Sequence, residues 1–463
     1  MMRIVILLAA MPFLLLGQEI PLPTSEAPIS KVLSYEDFIQ WVDQNHPLLK
    51  AVANKLPTAK AEVLKARGAF DPRWSGTYAS KEFKGDLYYR FPSWALETEV
   101  RGPISLSLDW NATSGLYTNP QDKLPSEGMF AVGGMLNLGN GLMTDQRRTD
   151  LRIAQAGLDL SEAEADLYRN ELLFKASKAF WKWYAAHENL KAYESAVFAA
   201  TEIYEFTKQN FLAGDASAMD TIDARALVMT WETEYQLART KAISSLFEVS
   251  TWLWDEKEQP MLINAETIPS GVLVSPTIPL NLEDHPLLRY NDAKEEQYRA
   301  KRQLAREYLK PKVAIGGALL APGNTDAWPA SADFTTENKV LKGKVEVPLL
   351  MREGLGYSRS QQLQLETFEW ERAQSEYELR QQWEAQGYQI QNLEKALEAS
   401  LKNEGALALL LDGERKKLAL GDSELIKVNL RASYYAKAQI QRANIQSELG
   451  QAWARWRQLS ASF

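Results

Sequence analysis

Between Thr144 and Leu212 the chain runs without proline, and apolar residues recur at every seventh position: Ala176, Trp183, Leu190, Val197, Tyr204 and Phe211. Ala179, Ala186, Tyr193 and Ala200 follow the same period three residues on. Such a seam predicts a coiled-coil helix over 144–212. A second stretch, 353–419, carries Trp383, Ile390, Leu393, Leu397, Leu401 and Ala408 as its seam. At 1.5 Å per residue each helix would be roughly 100 Å long, well past globular lengths. Shorter helical patterns occupy 34–69, 217–254, 283–309 and 423–459. Helices 217–254 and 283–309 together match 353–419 in length, so two stacked short helices would run beside one long one. The proline-bearing stretch 259–282 reads as an irregular linker between them.

Elsewhere the period changes to two. Ile104 to Asn111 alternates apolar and polar without error, as does Leu341 to Val347. Weaker alternation runs through 130–138 and 313–319, which gives strands within 72–138 and at 312–320 and 341–350. Aromatics (Trp74, Tyr78, Tyr88, Tyr89, Trp94) crowd the first of these regions. An ordinary half-buried antiparallel sheet shares this periodicity, but a face free of polar residues suits lipid better. The candidate lipid-facing residues are Ile104, Leu106, Leu108, Trp110, Leu341, Val345 and Val347. So few strands cannot close a barrel alone, so a barrel would need several copies.

The two sets of elements are related. His46-Pro47-Leu48-Leu49 recurs as His285-Pro286-Leu287-Leu288, and the same offset aligns Lys55 with Lys294, Ala61 with Ala300, Ala66 with Ala305, Arg67 with Arg306 and Pro72 with Pro311. Average composition predicts about two identities over such a stretch, so a tandem duplication is the better account. It divides the chain into repeats 32–282 and 283–463. Each long helix also ends in a glycine turn, Leu212-Ala213-Gly214-Asp215 in one half and Leu420-Gly421-Asp422 in the other. Glycine after a helix, followed by Asp or Ser before the next, is the chemistry of a tight reversal.

Composition narrows the function. Residues 1–17 read as a secretory signal, with Arg3 before an apolar run interrupted by Pro12, and 18–31 as a linker. There is no cysteine, which excludes disulfides, thiol chemistry and Cys-ligated metal. A net charge of −8 and the lack of basic blocks argue against nucleic acid as a partner. No later stretch is apolar enough for a spanning helix, so membrane residence would require a barrel. The three histidines, His46, His187 and His285, have no ligand spacing and read as structural. Neither metal nor other cofactor is expected. The helical Asp and Glu pairs read as solvated flanks, and the terminal Phe463 trails a helix.

The order of helix, Pro72 or Pro311, strands, Val347-Pro348-Leu349, long helix and glycine turn, given twice from about Val32 to Leu459, resembles the TolC family of outer-membrane channels. The resemblance implies an α+β membrane protein: a homotrimeric β-barrel in outer-membrane lipid, continued by a long coiled-coil helical barrel in the periplasm. It implies passive conduction in tripartite efflux or type I secretion, without catalysis. The partners would be a periplasmic adaptor, docking at the two glycine turns, and an inner-membrane pump of RND or ABC type. Twelve strands, four per chain, is the family number. The first strand region is about thirty residues longer than the second, however, and Arg101-Gly102-Pro103 offers an extra turn, which would make eighteen. The 73 residues from Gly141 to Gly214, against 67 from Gly354 to Gly421, also suggest unequal long helices. Family members put acidic rings and ion pairs near the tip. Here Asp220 and Asp223 follow Gly214, while Lys427 and Arg431 follow Gly421, which makes these four the gate candidates. Acidic residues in a first helical turn also favour the helix dipole without any gate.

Two rival readings remain open to the sequence. A periplasmic coiled-coil adaptor without a barrel would explain the helix pairs but not the strands. An enzyme on a helical scaffold would need chemistry that the chain lacks.

Overall fold

The computed structural model describes residues 31–100, 102–118, 123–125, 127–271, 281, 284–323 and 333–463. The expected signal and most of the following linker lie outside them, as do Arg101, Pro276 and Pro279. In chain order the elements are β1 (Val32–Ser34), α1 (Tyr35–Asn45), α2 (Pro47–Ala53), α3 (Lys55–Arg67), β2 (Arg73–Phe83), β3 (Asp86–Glu99), β4 (Ile104–Asn111) and β5 (Met129–Asn137). Then come α4 (Gln146–Ala213), α5 (Ala218–Ser250), β6 (Ile268–Ser270), α6 (Pro286–Glu307), β7 (Lys312–Pro322), β8 (Lys339–Glu346), α7 (Arg352–Ala419) and α8 (Leu425–Leu459).

The helix expected over 34–69 is three helices. Pro47 has no N–H and pushes His46 out of helical geometry, to φ −68° and ψ 126°. Pro57 interrupts the ladder again just after Asn54. The expected inequality of the long helices is not found, since α4 and α7 are both 68 residues long. Gly141 precedes α4 with φ 90°, whereas Gly354 lies inside α7, so the two glycines mark different places.

The chain forms two compact units that interleave the two sequence halves. One contains residues 1–47, 175–274 and 392–451. Its centre is an aromatic cluster: Phe38 and Tyr35 of α1 against Phe180, Trp181 and Trp183 of α4. The Tyr35 and Ser177 hydroxyls meet at 2.9 Å, and Trp41 Nε1 donates to the Trp254 carbonyl at 2.7 Å. β1 and β6 pair in parallel beside this cluster. Arg442 of α8 ties three helices together, reaching Glu188 of α4 at 3.3 Å and Glu404 of α7 at 2.8 Å. His46 stacks on Trp252 in the same unit, and burial holds its imidazole below the ordinary pKa.

The other unit contains 48–174, 275–391 and 452–463. Its sheet has the order β2-β3-β4-β5-β7-β8, with every neighbouring pair antiparallel. The first half therefore supplies four strands and the second half two, so of the two counts left open for the first half the structure has four rather than the family-like two. β2 and β3 are joined through Lys84 and Gly85, both at positive φ. β3 and β4 turn through residues around Gly102 and Pro103, where Val100 N donates to Ile104 O. β8 stops at Glu346 because Pro348 cannot continue the ladder, so Val347 lies beyond the strand expected over 341–350. Beside the sheet, Arg372 of α7 bridges Asp292 and Glu295 of α6, and Lys55 of α3 reaches Glu164 of α4 at 2.6 Å. His285 caps α6: its Nδ1 accepts from Leu287 N, and its Nε2 meets the Leu459 carbonyl at 3.1 Å. Burial lowers its pKa from the ordinary value.

Trp181 is 1% exposed and lies flat against Gly450 of α8. A β-carbon at Gly450 would fall inside the indole, and one at Gly271 would sit 2.6 Å from its edge. Glycine to alanine in a helix interior normally stabilises by about 1 kcal/mol. Here overpacking, typically about 1–3 kcal/mol, opposes and exceeds that gain. Gly450→Ala should therefore lower stability by about 1–2 kcal/mol in denaturant unfolding. Equal or greater stability would contradict this packing.

Candidate functional site

The alternation in each strand, carried across by the pairing register, divides the sheet into two chemically opposite faces. Register pairs Trp74 with Leu96, Leu96 with Leu108, Leu108 with Val132 and Val132 with Leu319. The next rows join Trp94, Trp110 and Phe130, then Thr98, Leu106, Gly134, Gly317 and Leu341. Ile104, Leu136 and Ile315 follow, with Val313 and Val345 paired beyond them. Six of the seven candidate lipid-facing residues thus share one face, and the seventh, Val347, follows β8 with its side chain exposed. Ile104, Leu106, Ile315, Leu341 and Val345 are all exposed within the chain. The charged residues on this face are at its margins: Arg90 near the β2–β3 turn and Lys339 at the start of β8.

The opposite face carries Arg73, Ser75 and Thr77 on β2, Glu97 and Glu99 on β3, and Ser105, Ser107, Asp109 and Asn111 on β4. Small residues follow on β5 and β7 together with Met129, Met135 and Leu320, and then Val340, Lys342, Lys344 and Glu346 on β8. This polar face is the hollow one. A cavity of about 400 Å³ lies against it, lined by Glu97, Glu99, Asp109, Asn111, Gly133, Gly316 and Lys342 among others. Folded proteins in water normally turn apolar side chains inward. This sheet does the reverse.

In the other unit, the two glycine turns share one geometry. Gly214 N donates to Phe211 O at 3.1 Å and Asp215 N to Asn210 O at 2.8 Å. Gly421 N donates to Leu418 O at 3.0 Å and Asp422 N to Lys417 O at 2.9 Å. Both glycines sit at positive φ, 88° and 81°, as this helix ending requires. Leu212 and Leu420 are more than two-thirds exposed. Ala213 ends α4, so the tip residues named from sequence occupy two matching reversals.

The gate candidates separate. Asp220 closes a capping box at the start of α5: its Oδ2 accepts from Ser217 N at 2.9 Å, while its own N–H donates to Ser217 Oγ. The bond from the Ser217 hydroxyl holds the Asp220 carboxyl below its usual pKa. Lys427 pairs with Glu424 at 3.7 Å. Lys427 and Arg431 both act on Glu414, whose carboxyl is held below the usual range first by the Ser423 hydroxyl and then by the nearby cations. Among the described residues, neither Asp220 nor Asp223 makes an ion pair with Lys427 or Arg431 within the chain. Ser423, expected to open α8, is bonded to Glu414, and α8 begins at Leu425. Glu414 was missed in the sequence because its partner lies nine positions on, across the turn.

Residues 101–251 match the family model described as outer membrane efflux protein. Among solved structures, the outer-membrane channel OprN is 12% identical, with a TM-score of 0.68 over 93% of this chain and 90% of that one. The CmeC outer membrane channel of Campylobacter jejuni is 13% identical, with a TM-score of 0.65 over 93% and 86%. The outer membrane protein VceC of Vibrio cholerae is 11% identical, with a TM-score of 0.67 over 92% and 96%. A search of curated proteins gives no match. Residues 101–251 thus match an outer membrane efflux protein model, and nearly the whole chain has the fold of these outer-membrane proteins.

Ser217→Ala removes one side of the capping box and should cost about 1 kcal/mol. Hydrogen exchange should show the first amides of α5 opening roughly fivefold faster, with α8 unaffected. Unchanged α5 exchange would return Asp220 to the set of residues free to act elsewhere.

Proposed function

We propose that the chain is the outer-membrane exit duct of a pump-driven export assembly. Three copies close one barrel in the outer membrane, with the helices in the periplasm and the glycine turns offered to a periplasmic adaptor. Solute moves passively through it, driven by an inner-membrane pump, and tripartite efflux is the reading favoured by the family description. The observation that carries this is the polarity of the sheet. A convex apolar face suits hydrocarbon, a hollow polar face suits water, and only closed barrels or helices satisfy backbone groups in lipid. No helix among the described residues is long and apolar enough to cross a membrane.

The sheet edges supply the closure. β2 and β8 each have one partner in the chain, which leaves a ladder of backbone donors and acceptors on both margins. Pairing β8 of one copy with β2 of the next satisfies both edges. Since β2 carries Trp74 and Tyr78 on the apolar face and Ser75 and Thr77 on the polar one, it is a full member of the wall. The ring then has eighteen strands rather than the family's twelve. At the other end, Asp223 is the gate candidate not engaged in a cap, facing Lys427 or Arg431 of another helix pair across the pore.

The chain has no native cysteine, so engineered pairs report cleanly. Cysteine at Lys344 combined with cysteine at Ser75 or Thr77 should give a covalent trimer in outer-membrane fractions on a non-reducing gel. Trimer only with cysteine at Lys344 and Ser107 would mean that β2 and β3 stay outside a twelve-strand ring. A protein found solely as a soluble periplasmic monomer would overturn the reading.

A further inference from the structure

We infer that the hollow face of the sheet is a charge-separated selectivity surface suited to dipolar solutes, those with a cationic and an anionic end. The inference rests on the channel reading and adds a substrate chemistry to it. On β3 and β4 this face carries three carboxylates, Glu97, Glu99 and Asp109. Arg147, at the start of α4, engages Glu99 at 2.6 Å. Arg73 is the register partner of Glu97, but no ion pair joins them. Asp109 accepts only a hydroxyl bond, from Ser107 at 2.9 Å. Negative charge therefore remains available on this side of the hollow.

Across β5 and β7 the same face is uncharged along the cavity, with Ala131, Gly133, Gly316 and Ala318 among Met129, Met135 and Leu320. Gly133 and Gly316 lie there, and backbone from the paired strand stands within 3 Å of where a β-carbon would go at either position. On the far side the sign reverses. Lys312 of β7 and Lys344 of β8 hold Glu346 at 2.8 and 3.1 Å, while Lys342 has no ion-pair partner among the described residues and lines the cavity with Glu97 and Asp109.

Asp109 on β4 and Lys342 on β8 are three strand spacings apart across the sheet, and the register, which leads from Lys342 through Gly316 and Met135 to Ser105, sets them four residues apart along it, so that roughly 20 Å separates them. The intervening floor carries no charge of its own to short-circuit them. Opposite charges across a wet cleft with low-dielectric walls focus a field along the line joining them. A neutral solute gains nothing from that field. A singly charged solute is drawn to one wall and repelled by the other. A solute with both charges, about 20 Å apart as at the ends of an extended hexapeptide, is favoured at both ends and oriented as it passes.

The test uses the full-length protein in planar bilayers and four probes of nearly equal size: hexaglycine, N-acetyl-hexaglycine, hexaglycine amide and N-acetyl-hexaglycine amide. Hexaglycine should interrupt the ionic current with a binding constant at least fivefold higher than the doubly blocked probe. Lys342→Gln should remove the advantage of the free carboxylate, and Glu97→Gln with Asp109→Asn should remove that of the free amine. Lys342→Arg should retain the wild-type order, which separates charge from folding. Equal block by all four probes, or an unchanged order in both charge-neutral variants, would overturn the inference while leaving a working channel. A wild-type protein that inserts but carries no current would overturn the channel reading beneath it.

Discussion

The structure depends on one constraint: a sheet whose apolar side chains point away from its hollow. In water such a sheet is unstable, since each exposed Leu, Ile or Trp forfeits about 25 cal/mol for every Å² left uncovered. Lipid removes that penalty, and the remaining cost, unpaired edge strands, vanishes only when the ring closes. The same alternation that turns Ile104, Leu106, Leu108 and Trp110 outward turns Ser105, Ser107 and Asp109 inward. On the proposed reading, medium, oligomer and polar lumen all follow from one period-two pattern.

The helical parts answer to a different rule. Half-buried charges are placed where helices meet: Arg442 between Glu188 and Glu404, and Arg372 between Asp292 and Glu295. Ion pairs of this kind contribute modest stability but fix which helix faces which. The apolar contacts are unevenly distributed. The seam of α4 is buried at Ala176, Trp183 and Ala186, whereas that of α7 is half-buried and leaves Leu401 exposed.

Much of this was legible in the sequence, and the omissions have physical causes. The long helices, the glycine reversals and the strand faces follow from periodicity, because side-chain spacing and backbone geometry are locked together. The first half's extra strands were obscured because Pro92 and the run Leu87-Tyr88-Tyr89-Arg90-Phe91 break the apolar–polar alternation of β3. The comparison of Gly141 with Gly354 misled because one precedes its helix and the other lies inside it. At the tip, Ser217-x-x-Asp220 was readable as a capping box, and it accounts for one gate candidate without a pore. The link from Glu414 to Ser423 was not readable, since it depends on how the turn folds back.

The central claim is the direction in which the sheet faces. Spin labels at single cysteines along 104–109, in protein reconstituted into lipid, test it directly through collisions with oxygen, enriched in lipid, and with a water-soluble nickel chelate. The account predicts strict alternation, with oxygen dominant at Ile104, Leu106 and Leu108 and nickel dominant at Ser105, Ser107 and Asp109. Alternation in the opposite phase, or nickel access at every position, would contradict it.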